Sequence, residues 1–414
     1  MPSSLLSHTS ARVLESESLL ELLRGYTQSA LGQDRVGTLA PSTDRVWIEN
    51  QHALTSEIRE FRRVGGRFDF SGLEDVTGLV EKSSISGAAL ETTEIRDVIA
   101  LVDRAAEWRQ IVASPPAAMR SEWSTVRQLS AGVVDFTEFL RGFRNKILPD
   151  GTLDDRASPA LARVRREMER QRRQIQESLR GYLRRLSEGG TVQDELVTIR
   201  GERFVIPVKV EQKRRVQGVV HGASSSGQTV FIEPLETIEQ NNELVRLLEE
   251  EQSEIHRILL EMTHRIGAQA REILAAADVL SELELQFAKA RFAEDYNCVA
   301  VVLSEDGRGV LGADASTSLR AGSQGRPSPR EPIILRNARH PLLERNLKGK
   351  GGKIIPTTIE LDGDARELVI TGPNTGGKTV ALKTMGLLAL MGQSGVPVPA
   401  DRAELPIFDA VLAD

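Results

Sequence analysis

The octet Gly372, Pro373, Asn374, Thr375, Gly376, Gly377, Lys378 and Thr379 reads G-x-x-x-x-G-K-[ST], the pattern of a phosphate-binding loop. Such a loop needs a strand before it and a helix after it, so it constrains the chain on both sides. Residues 367–371 read as a short buried strand and 380–391 as an apolar helix, which supplies that context and argues against a chance glycine-rich turn. The glycines let backbone N–H groups turn inward around the α- and β-phosphates, and the following helix points its positive end at the same anion. Lys378 would reach the β- and γ-phosphates, and the Thr379 hydroxyl would sit on Mg²⁺. The 35 residues after Thr379 are fewer than the rest of a nucleotide-binding α/β domain requires. The expectation is a phosphate cradle without most of the machinery that uses it.

With 414 residues the chain can bury a substantial core and suggests roughly two to four structural units. Aromatic residues make up 4%, and Arg, Glu, Leu and Ala are abundant, which fits a largely helical, extended protein. A net charge of -6 excludes a uniformly basic nucleic-acid coat, so any such contact must come from a local patch. Cys298 is the only cysteine, which excludes an internal disulfide framework and points to a reducing cytoplasm, with the thiol as a small core residue. Residues 1–12 do not read as a signal peptide and no stretch reaches transmembrane length, so the expectation is a soluble, intracellular protein without a membrane partner.

The pattern along the chain changes period twice. Residues 16–113 alternate helical patterns with polar turns, with Ile95, Val98, Ile99, Val102, Ala105 and Ala106 as a stripe facing a helical core. After Pro115 and Pro116 a second helical stretch is expected over 119–140, and a long arginine-dense helix runs from the turn before Pro159 through Arg185. Then 196–199, 203–210, 216–220 and 229–232 read as short strands of a small antiparallel unit, with Pro207 placing its strand at an edge or a bulge. The helical period returns over 235–276, where Leu244, Leu248, Ile255, Leu259, Met262 and Ile266 form a narrow seam, as in a coiled-coil arm. A β unit between two long antiparallel helices makes an arm with a tip; two ordinary bundle helices are the competing reading. A further helix is expected over 279–293, a linker over 304–332, and extended segments over 332–335 and 354–361.

Four motifs then occur in order: the run from Gly218 to Pro234 (GVVHGASSSGQTVFIEP), Asn241-Asn242-Glu243-Leu244, Ala338-Arg339-His340-Pro341-Leu342-Leu343, and the P-loop. Together they resemble the second bacterial branch of the MutS ATPases, the branch without the mismatch-reading domain, over about 15–414. The resemblance implies a mainly α fold: a helical core (1–157), a long antiparallel coiled-coil lever (158–188 and 235–303, the latter returning to the core) and a small antiparallel β clamp at the tip (189–234). A flexible linker (304–332) and an incomplete α/β P-loop ATPase domain (333–414) would follow. It further implies ATP and Mg²⁺ as ligands, branched or mismatched duplex DNA as partner, a homodimer joined through the ATPase domains, and suppression of homologous recombination. Some members of the branch rescue collided ribosomes, which would make rRNA the partner instead.

In that family the sequence resembling 408–414 leads into a signature loop, an acidic Walker B strand and a histidine switch, and later into a nuclease domain. No residue of this chain is therefore assigned a catalytic role, and the expectation is ATP binding with turnover at background. An inert fragment is a third reading. The strands of the last 80 or so residues are expected to leave unpaired edges and a poorly stable sheet.

For nucleic acid, Arg200, Arg203, Lys209, Lys213, Arg214 and Arg215 crowd into the β unit without a matching acid cluster and are the candidate backbone contacts. The arginine-dense helix over 163–185 reads equally as a channel lining or a solvated face. Ser224-Ser225-Ser226-Gly227 reads as a tight hairpin loop or a phosphate-binding nest. The resemblance implies that His340 neighbours the nucleotide and that Ile354 and Ile355 form an apolar platform for adenine; from the residues alone His340 reads equally as a satisfied turn histidine. The six histidines and one cysteine show no metal-ligand spacing, and no Ser-His-Asp or Cys-His set is evident.

Overall fold

A computed structural model describes residues 8–119, 122–187, 197–304, 332–361, 367–371 and 377–413. The fold is mainly α. The helices that carry the architecture are α1 (Ala30–Gly37), α2 (Arg45–Arg63), α3 (Thr92–Ala113), α4 (Pro159–Ser187), α5 (Ile238–Ala268), α6 (Ala270–Asp295), α7 (Pro341–Lys348) and α8 (Lys378–Gln393). The strands are β1 (Thr198–Arg200), β2 (Arg203–Lys209), β3 (Gly218–Ala223), β4 (Thr229–Pro234), β5 (Val302–Leu303), β6 (Ile333–Ala338), β7 (Thr357–Leu361) and β8 (Arg402–Leu405). They belong to two compact units built from non-contiguous segments, one of 1–76, 100–136 and 271–414, the other of 77–99 and 137–270.

In the first unit, α2 starts where Asp44 Oδ1 accepts from the Trp47 N–H, and buries Ile48, Gln51, His52, Leu54, Thr55, Ile58 and Phe61 on one face. The scarce aromatic residues are concentrated here: the rings of Phe61, Phe68, Phe70, Trp108, Trp123 and Phe287 meet edge-on or tilted, neighbouring centroids 4.8 to 6.2 Å apart. The sheet has the order β5-β8-β6-β7, with β5 and β8 parallel and the other pairs antiparallel. Leu387, Leu388 and Met391 of α8 close one core with Leu335, Ala403 and Leu405 of the sheet and with Leu23 and Ile48. Cys298 is buried in that core, and burial pushes its thiol pKa up to about 12.

The second unit holds an antiparallel helix pair with a sheet at one end. Ser158 meets Glu254, Arg163 meets Glu250 and Gln171 meets the Gln240 carbonyl, so α4 and α5 run in opposite directions. Their facing side chains, Val164, Met168, Ile175, Leu179, Leu183, Leu244 and Leu247, share a core with Phe204, Ile206, Val208, Val230 and Ile232 of the sheet β1-β2-β4-β3. In α5, Leu244, Leu259, Met262 and Ile266 of the expected seam are buried, while Leu248 and Ile255 are half-buried.

Several local expectations are corrected. The stretch 119–140 is not one helix: Ser124–Ser130 and Thr137–Arg141 are separate turns of helix, interrupted where Gly132 and two valines lower helix propensity. The α5–α6 break falls at Gln269, just after Gly267, not near 277. The α3 stripe includes Leu101 and Trp108, with Ile99 and Ala106 only half-buried. β2 lies inside its sheet, between β1 and β4, and the position that would face Pro207 on the β1 side, Leu196, lies outside the described residues. The expected linker lies, over 305–331, outside the described residues.

Candidate functional site

The phosphate-loop residues Gly372, Pro373, Asn374, Thr375 and Gly376 lie outside the described residues. Gly377, Lys378 and Thr379 open α8. Gly377 is its N-cap at φ 80, a left-handed conformation that suits glycine, with nothing within 4 Å of where a Cβ would stand. Gly377 has no side chain to cap this helix and the first turn holds no acidic residue, so the positive end of the helix dipole meets no opposing carboxylate within that turn. Thr379 is exposed and Lys378 half-buried. Lys383, one turn further on, pairs with Glu15 at 3.2 Å.

The strand expected before the loop is not formed: 367–371 pair with no strand among the described residues, and Leu368 and Val369 are exposed. An apolar run becomes a strand only where a neighbour offers ladder hydrogen bonds, and no described strand offers them to this run. Beside α8 lies a cavity of about 500 Å³ lined by Thr379, Leu382, Met385 and Gly386, by Val13 and Leu14, and by Phe408 and 410–413.

His340 precedes α7 and is buried, with no hydrogen-bond partner for either ring nitrogen among the described residues. Burial holds its pKa below the usual value, with Glu15 opposing and Lys383 reinforcing the shift. Ile355 is exposed, and Ile354 half-buried.

The far end of α8 is anchored in a polar network that sequence reading missed. The Lys289 ammonium is fully buried and donates to Gln51 Oε1 at 2.7 Å and to the Ser394 carbonyl at 3.3 Å. Gln51 and Gln286 in turn donate to Glu282 Oε1, while Arg35 holds Glu282 Oε2 at 2.6 Å. Burial pulls the Lys289 pKa down to about 8, opposed by Glu282. His52 Nε2 donates to the Gly392 carbonyl at 3.0 Å. Helical spacing marks these residues as one face of α2 and α6, but polar types at such positions ordinarily signal solvent, so no sequence signal identified them.

In the β unit the six candidate cations separate into two groups at opposite ends of β2. Arg200 lies with Arg203 in the β1–β2 pairing, its guanidinium 4.3 Å from the Phe231 ring centroid. Arg203 donates to Glu233 Oε1 at 2.8 Å and to Asn242 Oδ1 at 2.6 Å. Glu233 is buried and also meets His221 Nε2 at 2.6 Å, so an acid does match part of this cluster. His221 reaches it from a β-bulge, where the β3–β4 register shifts between Val220 and Gly222. Asn241 exchanges two hydrogen bonds with the backbone of Phe204, tying β2 to the start of α5.

At the other end of β2, Lys209 leads into a turn of 3₁₀ helix, Val210–Arg215, that exposes Lys213, Arg214 and Arg215. These four cations form no ion pair among the described residues. The Ser224–Gly227 segment closes as a hairpin: Ser224 N–H donates to the Thr229 carbonyl, Gly227 N–H to the Ser224 carbonyl, and Thr229 N–H to Ser224 Oγ.

No helix among the described residues is long and apolar enough to cross a membrane, and no group of three or more potential metal ligands occurs among them. A family model described as MutS domain V matches residues 368–414. Proteins named endonuclease MutS2 align along nearly the whole chain. That of Pelotomaculum thermopropionicum is 35% identical over 97% of this chain and 47% of its own length. That of Exiguobacterium sibiricum is likewise 35% identical, over 97% and 47%. That of Clostridioides difficile is 31% identical over 99% and 48%. The chain thus spans about half the length of the curated relatives it matches. An alignment this continuous through helices, β unit and α8, together with the domain match at its end, means that the chain belongs to the MutS family, on its MutS2 branch.

Proposed function

We propose that this chain is the DNA-holding, nucleotide-controlled part of a MutS-type clamp that acts on branched or mismatched duplexes as a homodimer and opposes homologous recombination. The observation that carries the reading is the cation group Lys209, Lys213, Arg214 and Arg215, exposed and unneutralised on a small sheet at one end of a long helix pair. Cations so placed bind phosphates, which selects duplex shape and not base sequence. The relatives' name, endonuclease MutS2, supports an assignment to nucleic acid.

ATP with Mg²⁺ fits the start of α8. Gly377 leaves room for a phosphate, the N-terminal end of the helix would attract it through its dipole, Lys378 would add a positive charge, and the Thr379 hydroxyl would be the protein oxygen on the metal. When bound, Mg²⁺ would neutralise phosphate charge. Binding, not turnover, is what these three residues supply.

The test is salt-dependent binding of a four-way junction, a mismatched duplex and a plain duplex by the unsubstituted chain and by Lys378→Ala. Tighter binding of the junction or mismatch, altered by a non-hydrolysable ATP analogue in the parent but not in the variant, is expected. Equal affinity for all three duplexes would refute the substrate assignment. Co-sedimentation with stalled ribosomes in preference to junctions would transfer the same cations to rRNA and to ribosome rescue.

A further inference from the structure

Helix α4 carries nine arginines against three glutamates and no lysine. Its buried seam is Leu161, Val164, Met168, Ile175, Leu179 and Leu183. Positions 163, 166, 170, 173, 177, 180 and 184 recur at alternating spacings of three and four, and every one is exposed. Six of them are arginine and the seventh is Glu177. At 3.6 residues per turn they fall within an arc of about 100° on the side opposite the seam, and the stripe runs about 32 Å, close to one turn of a DNA duplex.

The arginines of α4 divide by partner. Arg165 is held by Glu251 at 2.7 Å, Arg185 by Glu236 at 2.6 Å and Arg163 by Glu250 at 2.8 Å, all acids of α5 or the turn leading into it. Helix α5 holds seven glutamates against three arginines, so charge pairing between the helices accounts for these. It does not account for Arg166, Arg170 and Arg180, which are exposed and form no ion pair among the described residues. Like charges three and four residues apart repel and weaken a helix, so this face is not arranged for the helix's own stability. Nor does the stripe contain an apolar or aromatic residue of the kind that anchors a protein partner. What it offers is a row of planar guanidinium groups, suited to bidentate contact with phosphate. A shallow depression of about 510 Å³ runs among Arg163, Arg166, Arg170 and Arg173, with Asp155, Glu167 and Glu169 also on its wall.

We infer that the outer face of α4 is a second nucleic-acid surface, a track for the phosphate backbone of duplex DNA, distinct from the cation group at Lys209 to Arg215. The inference rests on the DNA-binding reading above, and two variants separate their fates. In one, Arg166, Arg170 and Arg180 become Gln (R166Q/R170Q/R180Q); in the other, Lys213, Arg214 and Arg215 become Gln. Glutamine keeps helix propensity, and circular dichroism checks that helicity is unchanged.

Affinity for a duplex of about 30 base pairs is measured from about 50 to 200 mM salt, where each lost phosphate contact lowers the salt slope by roughly 0.9. The stripe variant should lose a slope of about 2.7, so that the parent gives up roughly 40-fold more affinity over that range than the variant does. An unchanged slope in the stripe variant, with a reduced slope in the tip variant, overturns the track and leaves the proposed function standing. The reverse pattern keeps the track and removes the tip assignment. No binding by the parent overturns both, and tighter stripe-dependent binding of an RNA duplex of equal length overturns the commitment to DNA.

Discussion

Replacing Lys289 by Met should flatten the alkaline side of the stability profile of the unit that contains α8. The Lys289 ammonium has no solvent exposure, and burial lowers its pKa from 10.5 to about 8. Between those values the unfolded chain binds the proton and the folded chain releases it, so stability rises with pH across the window. Below the folded value the charged form is held at a penalty of about 3 kcal/mol, and moving from about pH 7 to about pH 9.5 should recover roughly 2 kcal/mol of it. The Cys298 thiol, raised from 9.0 to about 12 by burial, acts in the opposite sense above about pH 9, because the unfolded thiol ionises first. That contribution is common to parent and variant and cancels in their difference. All three tryptophans, Trp47, Trp108 and Trp123, lie in the same unit as Lys289, so urea unfolding followed by tryptophan fluorescence reads this unit directly. Parent minus variant should change by about 2 kcal/mol over that range. Parallel profiles would show that Lys289 does not titrate as a buried ammonium, and the argument from its surroundings would fail.

At the acid end, burial lowers the His52 pKa from 6.5 to about 4, so its neutral form supports stability above about pH 6.5 and up to about 3 kcal/mol is lost as pH falls towards 4. Urea midpoints of His52→Gln should fall less steeply than the parent's over that interval. Gly395 has φ 63, and an added Cβ would lie 2.2 Å from Gln51 Cβ. Gly395→Ala should therefore lower the unfolding free energy by at least about 2 kcal/mol, whereas Gly65→Ala, at φ 89 in open space, should cost only about 1 kcal/mol. Glu233→Gln removes the charge between Arg203 and His221, and a loss of about 1.5 to 3 kcal/mol should show as faster hydrogen exchange in β3 and β4. Unchanged protection there would mean that Glu233 does not hold the strands.

The features that repeat or sit close together in sequence were legible in it. The 3,4 spacing of α5, the arginine-dense helical run of α4, the short strand runs of β2 to β4 and the glycines and lysine at the head of α8 depend on neighbours a few residues away. What was not legible depends on remote partners. β5 and β8 are too short and mixed in character to announce themselves: β5 is paired by β8 across about a hundred residues of chain, and β8 is paired by both β5 and β6. Residues 367–371 show the converse, since a strand-like run stays unpaired where no described strand lies beside it.

The candidate cations teach the same lesson. Counted along the chain, Arg200 to Arg215 form one basic cluster, but Glu233, 30 positions beyond Arg203, claims that arginine, while Lys209 and the three cations of the following turn remain exposed. The sequence by itself determined the period of each helix, the order of the four motifs and so the family. Only the tertiary structure decided which polar groups are buried and matched and which charges are left for a partner. Periodicity is set by local geometry, whereas burial and charge pairing are set by whatever the fold brings alongside.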